Sequence, residues 1–430
     1  MPTEHAAILA YHWERAQEWA RALQYTLRAA SRARALYARP EAVTHHWRAV
    51  DLLRHLPATP ELQAVFVDVV LTLMDLPGWA RTEAERQQGL QLLDEATRTA
   101  AALDDPDLLA RGEAISGAVR HDEAWLKRGV DRARSQKVQA EAADWYHNYL
   151  GRVGRYDDAL VVARRAIELH GAVGARLDEA LAVNYGGRCW AARAGRLTES
   201  LTHAARFRAM AAELDDVRLR ACRAMEAEPY IYIGRWEDAV RVGEESLPLA
   251  WEVGEQGVVL FGSAWLGLAY LKLGRRDEAR QVIDRALRWG ESRFGATAFA
   301  RTYLTIARAL SHLADGEAEA AVQRAHRAIE LAESNDFRLE QGAAYRALGQ
   351  ALEASGQRGG VEGAYRRSLE ILESIQSLPE LGETLLALGR FTLADDVAEG
   401  RRLVERARAI FDEIGATGWS REAADALKPA

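Results

Sequence analysis

The chain is 430 residues long and 49% hydrophobic, with 56 basic and 63 acidic side chains and a net charge of −7. Since no basic block could grip phosphate backbones, the composition argues against nucleic-acid binding. The opening residues MPTEHAAILAYHW lack the basic start and apolar run of a signal peptide, and no stretch approaches about eighteen apolar residues, so we expect a soluble, cytoplasmic protein without a membrane partner.

Apolar and alanine positions with helical spacing begin near the first residue. They predict three helices at about 4–16, 18–37 and 40–55, which form an N-terminal helical segment over 1–56. The period is less regular over 57–136, where helices near 60–75, 83–103, 107–119 and 122–134 indicate irregular hairpins. Two of these helices begin with a capping residue followed by proline, at Thr59-Pro60 and Asp105-Pro106.

The stretch 266–287, LGLAYLKLGRRDEARQVIDRAL, shows the unit from which the rest of the chain is built. Gly267 and Tyr270 belong to a first helix, Gly274 to a turn, and Ala279 and Ile283 to a second helix. The small residues allow two helices to approach closely, while the large ones fill the space around the contact. The stretch therefore predicts a helical hairpin.

The turn and second helix recur along the chain with a period of about forty residues. The turn glycines are separated by 41, 39, 40, 42 and 40 residues, and they are Gly154, Gly195, Gly234, Gly274, Gly316 and Gly356. A hairpin cannot bury its own apolar stripe, so neighbouring hairpins must stack. This predicts regular repeats over 137–414 and a C-terminal capping helix over 415–430.

The hairpin resembles the tetratricopeptide repeat (TPR), except that Ser263 and Ile283 stand where that repeat has tryptophan and phenylalanine. We therefore predict an all-α fold, a right-handed TPR-like superhelix of about ten helical hairpins. Pro229 and Pro248 fall inside predicted helices of one repeat, over about 216–253, and each should kink its helix.

Two segments resemble a larger class of bacterial regulators. The stretch 9–53 and the closing run 405–427 are similar to the beginning and end of the TPR-like array in signal-transduction ATPases with numerous domains (STAND), including LuxR-type large regulators and ATPase-linked class III nucleotide cyclases. The resemblance implies a sensor arm. No lysine follows a glycine, which excludes a GxxxxGK phosphate loop, and a C-terminal helix-turn-helix is also missing. We expect either a fragment of such a regulator or a free-standing relative.

The sequence contains no recognisable motif for a catalytic, metal-binding or cofactor-binding site. The histidines form no HExxH motif or i, i+4 pair, and there is no GxSxG elbow, so we expect a protein that is not an enzyme and needs no cofactor. Cys189 and Cys222 have no metal-binding spacing. We interpret them as buried packing residues, with a redox pair as the alternative.

Candidate binding residues follow from the geometry of stacked hairpins, in which the first helix of each lines the concave groove. Projection onto the repeats gives Asp144, Asn148, Arg152, Tyr185, Arg193, Glu228, Tyr232, Lys272, Arg308, His312, Arg346, Gln350 and Arg390. From Lys272 onward this set is mostly cationic, which predicts an anionic or carboxylate-bearing partner held by arginine. The alternative is that these arginines only solvate a surface.

These patterns together favour a non-catalytic recognition array, the sensor or protein-docking arm of a bacterial signalling or transcriptional regulator. It would bind a peptide, a protein surface or a small inducer in its groove and pass a change of superhelical pitch to a partner. A free-standing scaffold for protein assembly is the alternative, and an enzyme is the third.

Overall fold

A computed structural model describes residues 5–76, 78–80, 82–291 and 298–428. All regular secondary structure in these residues is helical, and the chain is an all-α, TPR-like solenoid. The described residues divide into two compact units, the first ending at Tyr146 and the second beginning at His147. The segment limits predicted at 56, 136 and 414 stay predictions. No described helix is both long enough and apolar enough to cross a membrane.

The first unit consists of antiparallel helices with a core of branched aliphatic side chains. Its helices are α1 (Ala6–Arg15), α2 (Trp19–Ala35), α3 (Arg39–Leu53), α4 (Pro60–Asp75), α5 (Glu83–Ala102), α6 (Pro106–Arg120), α7 (Glu123–Arg132) and α8 (Gln136–Arg152), and α8 continues into the second unit. The Thr59 hydroxyl accepts from the Leu62 amide, and the Asp105 carboxylate accepts from two amides of the first turn of α6. Both predicted caps are therefore present.

The second unit stacks the regular hairpins. Its helices are α9 (Tyr156–Ala172), α10 (Arg176–Ala182), α11 (Cys189–Arg193), α12 (Leu197–Leu214), α13 (Val217–Cys222), α14 (Ala227–Ile233), α15 (Trp236–Val253), α16 (Gln256–Lys272), α17 (Arg276–Glu291), α18 (Ala298–Ala314), α19 (Ala318–Glu333), α20 (Arg338–Ala354), α21 (Arg358–Ser374), α22 (Leu378–Thr392), α23 (Val397–Glu413) and α24 (Thr417–Ala426). The even-numbered helices α8, α16, α18, α20 and α22 are first helices of hairpins.

The turn glycines have the backbone conformation that the repeat requires. All six have positive φ, between 74° and 84°, which a residue with a Cβ adopts only with strain. Close approach explains Gly267 on α16, because a Cβ there would lie 2.6 Å from Ile283 on α17. The predicted hairpin is confirmed at both its turn and its helix crossing.

Two first helices are interrupted. A 3₁₀ segment, Arg223–Glu226, separates α13 from α14 and ends just before Pro229. Because Pro229 has no amide hydrogen for the Met225 carbonyl and its ring crowds that carbonyl, the regular α-helical bond cannot form there. Pro248 lies inside the continuous helix α15. A π-helical segment, Val183–Arg188, lies between α10 and α11, and no signal in the sequence analysis predicted it.

The last hairpins of the second unit contact the first ones across its inner face. The Ser377 hydroxyl donates to the Arg193 carbonyl (2.9 Å), and the Trp419 indole donates to the Ile231 carbonyl (2.9 Å). Gly418 packs so closely on the Gly234 turn that a Cβ would lie 2.2 Å from the Gly234 oxygen. Stacked repeats ordinarily contact only their neighbours, whereas these pairs are 184 and 188 residues apart.

Candidate ligand-binding site

A cluster of charged side chains is buried on the inner face of the second unit. We call it the ionic cluster, and its members are Arg188, Arg193, Glu228, Glu340, Arg346 and Glu380. These residues come from the π segment and from α11, α14, α20 and α22. The stacking of the hairpins therefore brings together charges from distant parts of the chain.

Arg193 is the centre of one half of the cluster. Its Nε donates to Glu228 Oε1 (2.9 Å), and its Nη1 donates to Glu340 Oε1 (3.3 Å). Arg188 Nη1 donates to the second oxygen of Glu228 (3.0 Å). The Arg193 guanidinium also lies 5.0 Å from the ring centroid of Phe299. Arg193, Glu228 and Glu340 are each at most 1% exposed, so these charges depend on one another for stabilisation.

Glu380 is the centre of the other half. Its Oε1 accepts hydrogen bonds from the hydroxyls of Tyr232 (3.1 Å) and Tyr303 (3.2 Å), and its Oε2 pairs with Arg346 Nη1 (2.5 Å). Arg346 also reaches Glu383 through Nη2 (3.1 Å). Burial raises the pKa of Tyr232 and Tyr303, which keeps both hydroxyls protonated as donors.

Burial also changes the acid–base behaviour of the carboxyls. It raises the pKa of Glu340 to about 7; the positive charge of Arg193 opposes that rise, while the charges of Glu380 and Glu228 add to it. Burial likewise raises the pKa of Glu383. Near neutral pH the cluster therefore contains a carboxyl group that gains or loses a proton readily.

A cavity of about 340 Å³ lies beside Arg346. Its wall combines aliphatic, aromatic and charged side chains, and the lining residues are Ile231, Trp236, Leu268, Leu271, Lys272, Tyr303, Leu310, Arg346, Gln350, Glu353, Tyr365, Glu383, Leu386, Ala387, Arg390 and Trp419. This volume is at the lower end of the range for small-molecule sites. Four of the predicted groove residues, Lys272, Arg346, Gln350 and Arg390, line it together.

Two cations share one carboxylate at the wall of this cavity. Lys272 Nζ lies 3.0 Å from Glu422 Oε1, and Arg390 Nη2 lies 3.5 Å from Glu422 Oε2. The Lys272 ammonium also lies 3.8 Å from the ring centroid of Trp419, which meets Trp236 edge to face at 5.2 Å. An aromatic face stabilises a cation, so the ammonium is held by both charge and ring.

The other predicted groove residues do not form one continuous surface. Arg193, Glu228 and Tyr232 belong to or contact the ionic cluster, and the Arg152 guanidinium lies 5.5 Å from the Phe299 ring centroid. Tyr185 contacts Cys222 Sγ at 3.4 Å. Arg308 pairs with Asp284 and His312 with Glu317 in their own part of the array. Asp144 belongs to the first unit and Asn148 to the second.

Each predicted cation of the C-terminal half already has an internal carboxylate, namely Glu422 for Lys272 and Arg390, Asp284 for Arg308, and Glu380 with Glu383 for Arg346. An anionic partner would have to compete with these carboxylates. Both cysteines are buried and neither forms a disulfide, and burial raises the pKa of Cys189 to about 12, in keeping with the packing role expected of them.

Sequence reasoning found Glu228 but missed the other two carboxylates of the ionic cluster, Glu340 and Glu380. Glu340 and Glu380 each precede the small packing residue of their first helix by nine positions, at Gly349 and Gly389. The two glutamates are forty residues apart, which is one repeat. A carboxylate at the same buried register of two consecutive repeats was a usable signal.

No protein-family model and no curated protein matches the sequence. Among solved structures, a Rap protein complexed with competence and sporulation factor aligns over 86% of this chain and 97% of its own, with a TM-score of 0.56 and 15% identity. This likeness shows the fold, a TPR-like helical repeat array.

Two further structures align more loosely. A STAND protein with a tetratricopeptide repeat sensor from Pyrococcus horikoshii aligns over 83% of this chain and 53% of its own, with a TM-score of 0.48 and 13% identity. Aspartyl phosphate phosphatase F from Bacillus subtilis aligns over 87% and 97%, with a TM-score of 0.46 and 11% identity.

Proposed function

We propose that the second unit is a non-catalytic recognition module that binds a small effector in the cavity beside Arg346. In this proposal the chain is the sensor arm of a bacterial signalling or transcriptional regulator and passes the binding event to a protein partner. The observation that carries it is the convergence of Lys272, Arg346, Gln350 and Arg390 on one cavity of about 340 Å³.

The contacts across the inner face favour a small effector over a protein docked along the groove. Arg193, Glu340 and Glu380 fill the inner face with mutual hydrogen bonds, and Ser377 and Trp419 bond to the opposite hairpins. A protein or long peptide on that face would have to separate these groups and leave buried charges unpaired, at a cost of several kcal/mol for each. The cavity can be filled without breaking them.

The cavity wall also offers a route for signalling. Ile231 and Leu268 come from α14 and α16, whereas Leu386 and Trp419 come from α22 and α24. A ligand that contacts both pairs of helices binds more tightly when α22 and α24 lie against α14 than when they are apart. Such differential affinity is what shifts a conformational equilibrium.

The functional groups of the wall suit binding better than bond-making. Arg346 is held by two carboxylates, and burial raises the pKa of Tyr303 and Tyr365 away from neutrality. Arg346 and the two tyrosines orient a ligand through hydrogen bonds and charge but do not readily exchange protons, and Glu383, whose pKa burial raises to about 7, is already paired with Arg346. We therefore assign the cavity a recognition role.

The test uses Ala387→Phe, which places a large side chain in the cavity, with Val161→Phe as the control on a surface position that is 64% exposed. A low-molecular-weight extract of the producing cells should raise the melting temperature of the wild type and of the control by a few degrees, because a ligand at a hundred times its Kd adds about 2.7 kcal/mol. Ala387→Phe should lose that rise. An equal rise in all three proteins, or none in the wild type, would contradict the proposal.

A further inference from the structure

The cavity has a cationic end and an acceptor end, and this arrangement restricts what can fill it. On α22, Glu383 and Arg390 are seven residues apart, so about 10 Å of helix axis separates them. Leu386 and Ala387 lie between them on the cavity wall. The charged positions are therefore separated by an apolar stretch.

The cationic end has more positive side chains than directly paired carboxylates. Lys272 and Arg390 both approach the carboxylate of Glu422, and the longer of the two distances is 3.5 Å. The two cations thus share one directly paired carboxylate, and the rest of the Arg390 contact is to the Glu422 backbone carbonyl (3.3 Å). A second carboxylate, supplied by a ligand, would complete the pairing of the more loosely held Arg390.

The acceptor end needs hydrogen-bond donors. Gln350 Oε1 is buried and has no hydrogen-bond partner among the described residues, which costs free energy unless a bound group donates to it. Gln350 follows Arg346 by one turn of α20, and Arg346 Nη2 holds Glu383 on the neighbouring helix α22 (3.1 Å). At this end an incoming donor would meet an amide oxygen and a carboxylate.

The size of the cavity sets the length of the ligand. A cavity of about 340 Å³ is at the lower end of small-molecule sites, so it suits a small ligand and not a long peptide. Three extended residues, or a linear chain of similar length, span the roughly 10 Å between the two ends.

We infer that the cavity binds a zwitterion whose carboxylate lies against Lys272 and Arg390 and whose amino group donates to Gln350 and Glu383, with an apolar body between them. The inference rests on the proposed function, since it specifies the effector of that site. Two sources share this chemistry, an apolar tripeptide with free termini and a long-chain ω-amino acid.

The experiment is calorimetric titration of the full chain with 8-aminooctanoate and with trialanine. The singly charged counterparts are octanoate and octylamine for the first, and the C-amidated and N-acetylated forms for the second. The zwitterion of at least one series should bind about ten-fold more tightly than either counterpart, because each lost contact to a charged group removes about one to two orders of magnitude in affinity.

Variants assign the two ends. Arg390→Met should bind the zwitterion and the probe without a carboxylate equally well. Gln350→Leu should bind the zwitterion and the probe without a free amino group equally well. Arg366→Met, on a side chain that is 71% exposed on α21, should change neither. The side chain of Arg390 is 47% exposed, so its replacement leaves folding intact.

The outcomes separate this inference from the proposed function. If the zwitterions and their singly charged counterparts bind equally well, or if neither series binds, the inference that the ligand is a zwitterion is wrong. If the cell extract still stabilises the wild type and Ala387→Phe still removes that effect, the cavity remains a ligand site and only the ligand class is wrong. If the extract effect is also absent, the proposed function fails with it.

Discussion

Replacing Arg193 with methionine tests whether the ionic cluster holds the second unit together. Methionine keeps much of the apolar volume of arginine but removes the charge that faces Glu228 and Glu340. Glu228 retains Arg188, whereas Glu340 loses the ion pair it makes with α11. The perturbation therefore leaves a fully buried carboxylate facing two other acidic residues, Glu228 and Glu380, whose charges already raise its pKa.

The expected loss is large because the group left behind is buried. Removing one partner of a buried pair costs about 3 to 5 kcal/mol, whereas an exposed pair contributes about 0 to 1 kcal/mol. Arg164→Met is the matched control, since Arg164 pairs with Glu199 at 2.9 Å but is 48% exposed. The free energy of unfolding should thus fall several times more for Arg193→Met than for Arg164→Met.

The assay is urea denaturation above pH 7, where Glu340 of the wild type is mostly ionised, so that the cost in the variant includes either a buried unpaired carboxylate or its protonation. Unfolding is followed by circular dichroism and by tryptophan fluorescence. Adding Glu340→Gln to Arg193→Met should recover part of the loss, because it removes the carboxylate that was left unpaired. The reasoning would be refuted if Arg193→Met lost no more stability than the exposed control, or if the second substitution made the protein still less stable.

Three further predictions concern single groups. Between about pH 4.5 and pH 7 the folded protein keeps a proton on Glu340 that the unfolded chain releases. This group's contribution of about 3 kcal/mol to the free energy of unfolding should therefore be lost as the pH rises through that range. The stability of Glu340→Gln should depend less on pH there than the stability of the wild type. Gly418→Ala should lower the melting temperature because its Cβ would collide with the Gly234 carbonyl. Gly359→Ala, with open space around its Cβ inside α21, should raise the melting temperature slightly. Equal shifts in the two variants would contradict the packing argument. Cys189 should resist a thiol reagent in the native protein near neutral pH, since burial raises its pKa to about 12, and rapid native labelling would contradict its burial.

The hairpins could be predicted because their determinants are local. Gly274 needs a left-handed backbone, and Gly267 needs room for Ile283, and both requirements are written in residues that are close in sequence. The same spacing placed Arg193 and Glu228 on the inner face, where the structure has them buried. These features required no knowledge of distant parts of the chain.

The closure of the second unit could not be predicted from that spacing. Whether α22 and α24 contact α14 depends on the small rotation between successive hairpins, and that rotation accumulates over the repeats. The contacts of Ser377 and Trp419 with residues more than 180 positions away are its result. Consequently, predicted groove residues such as Arg193 and Arg346 are paired with internal carboxylates instead of facing an open channel.

The π segment explains why the predicted groove residues Tyr185 and Arg193, on one interrupted helix, have different surroundings. An extra residue between α10 and α11 rotates the following residues by about 100° relative to a regular helix. Tyr185, inside the segment, contacts Cys222, while Arg193, beyond it, reaches the ionic cluster. Gly186 and Gly187 lie in this segment, and a Cβ on Gly187 would lie 2.6 Å from His203, so close packing accompanies the irregularity.

The buried charges fix how the last hairpins of the second unit are aligned against its first ones. Apolar contacts between curved helices tolerate sliding, but the two carboxylates that Arg193 holds come from α14 and α20, and Glu380 accepts from tyrosines on α14 and α18 while it pairs with Arg346. A shift of one turn, about 5.4 Å, would break all of these bonds at once and leave buried charges unpaired. Arg346 belongs to this cluster and also lines the cavity, so under the proposed function a ligand beside Arg346 would lie next to the Glu380 pair that helps to set the register. Arg346 and Glu380 thus connect the cavity wall to α14, α18 and α22, which is the route that the proposed function requires.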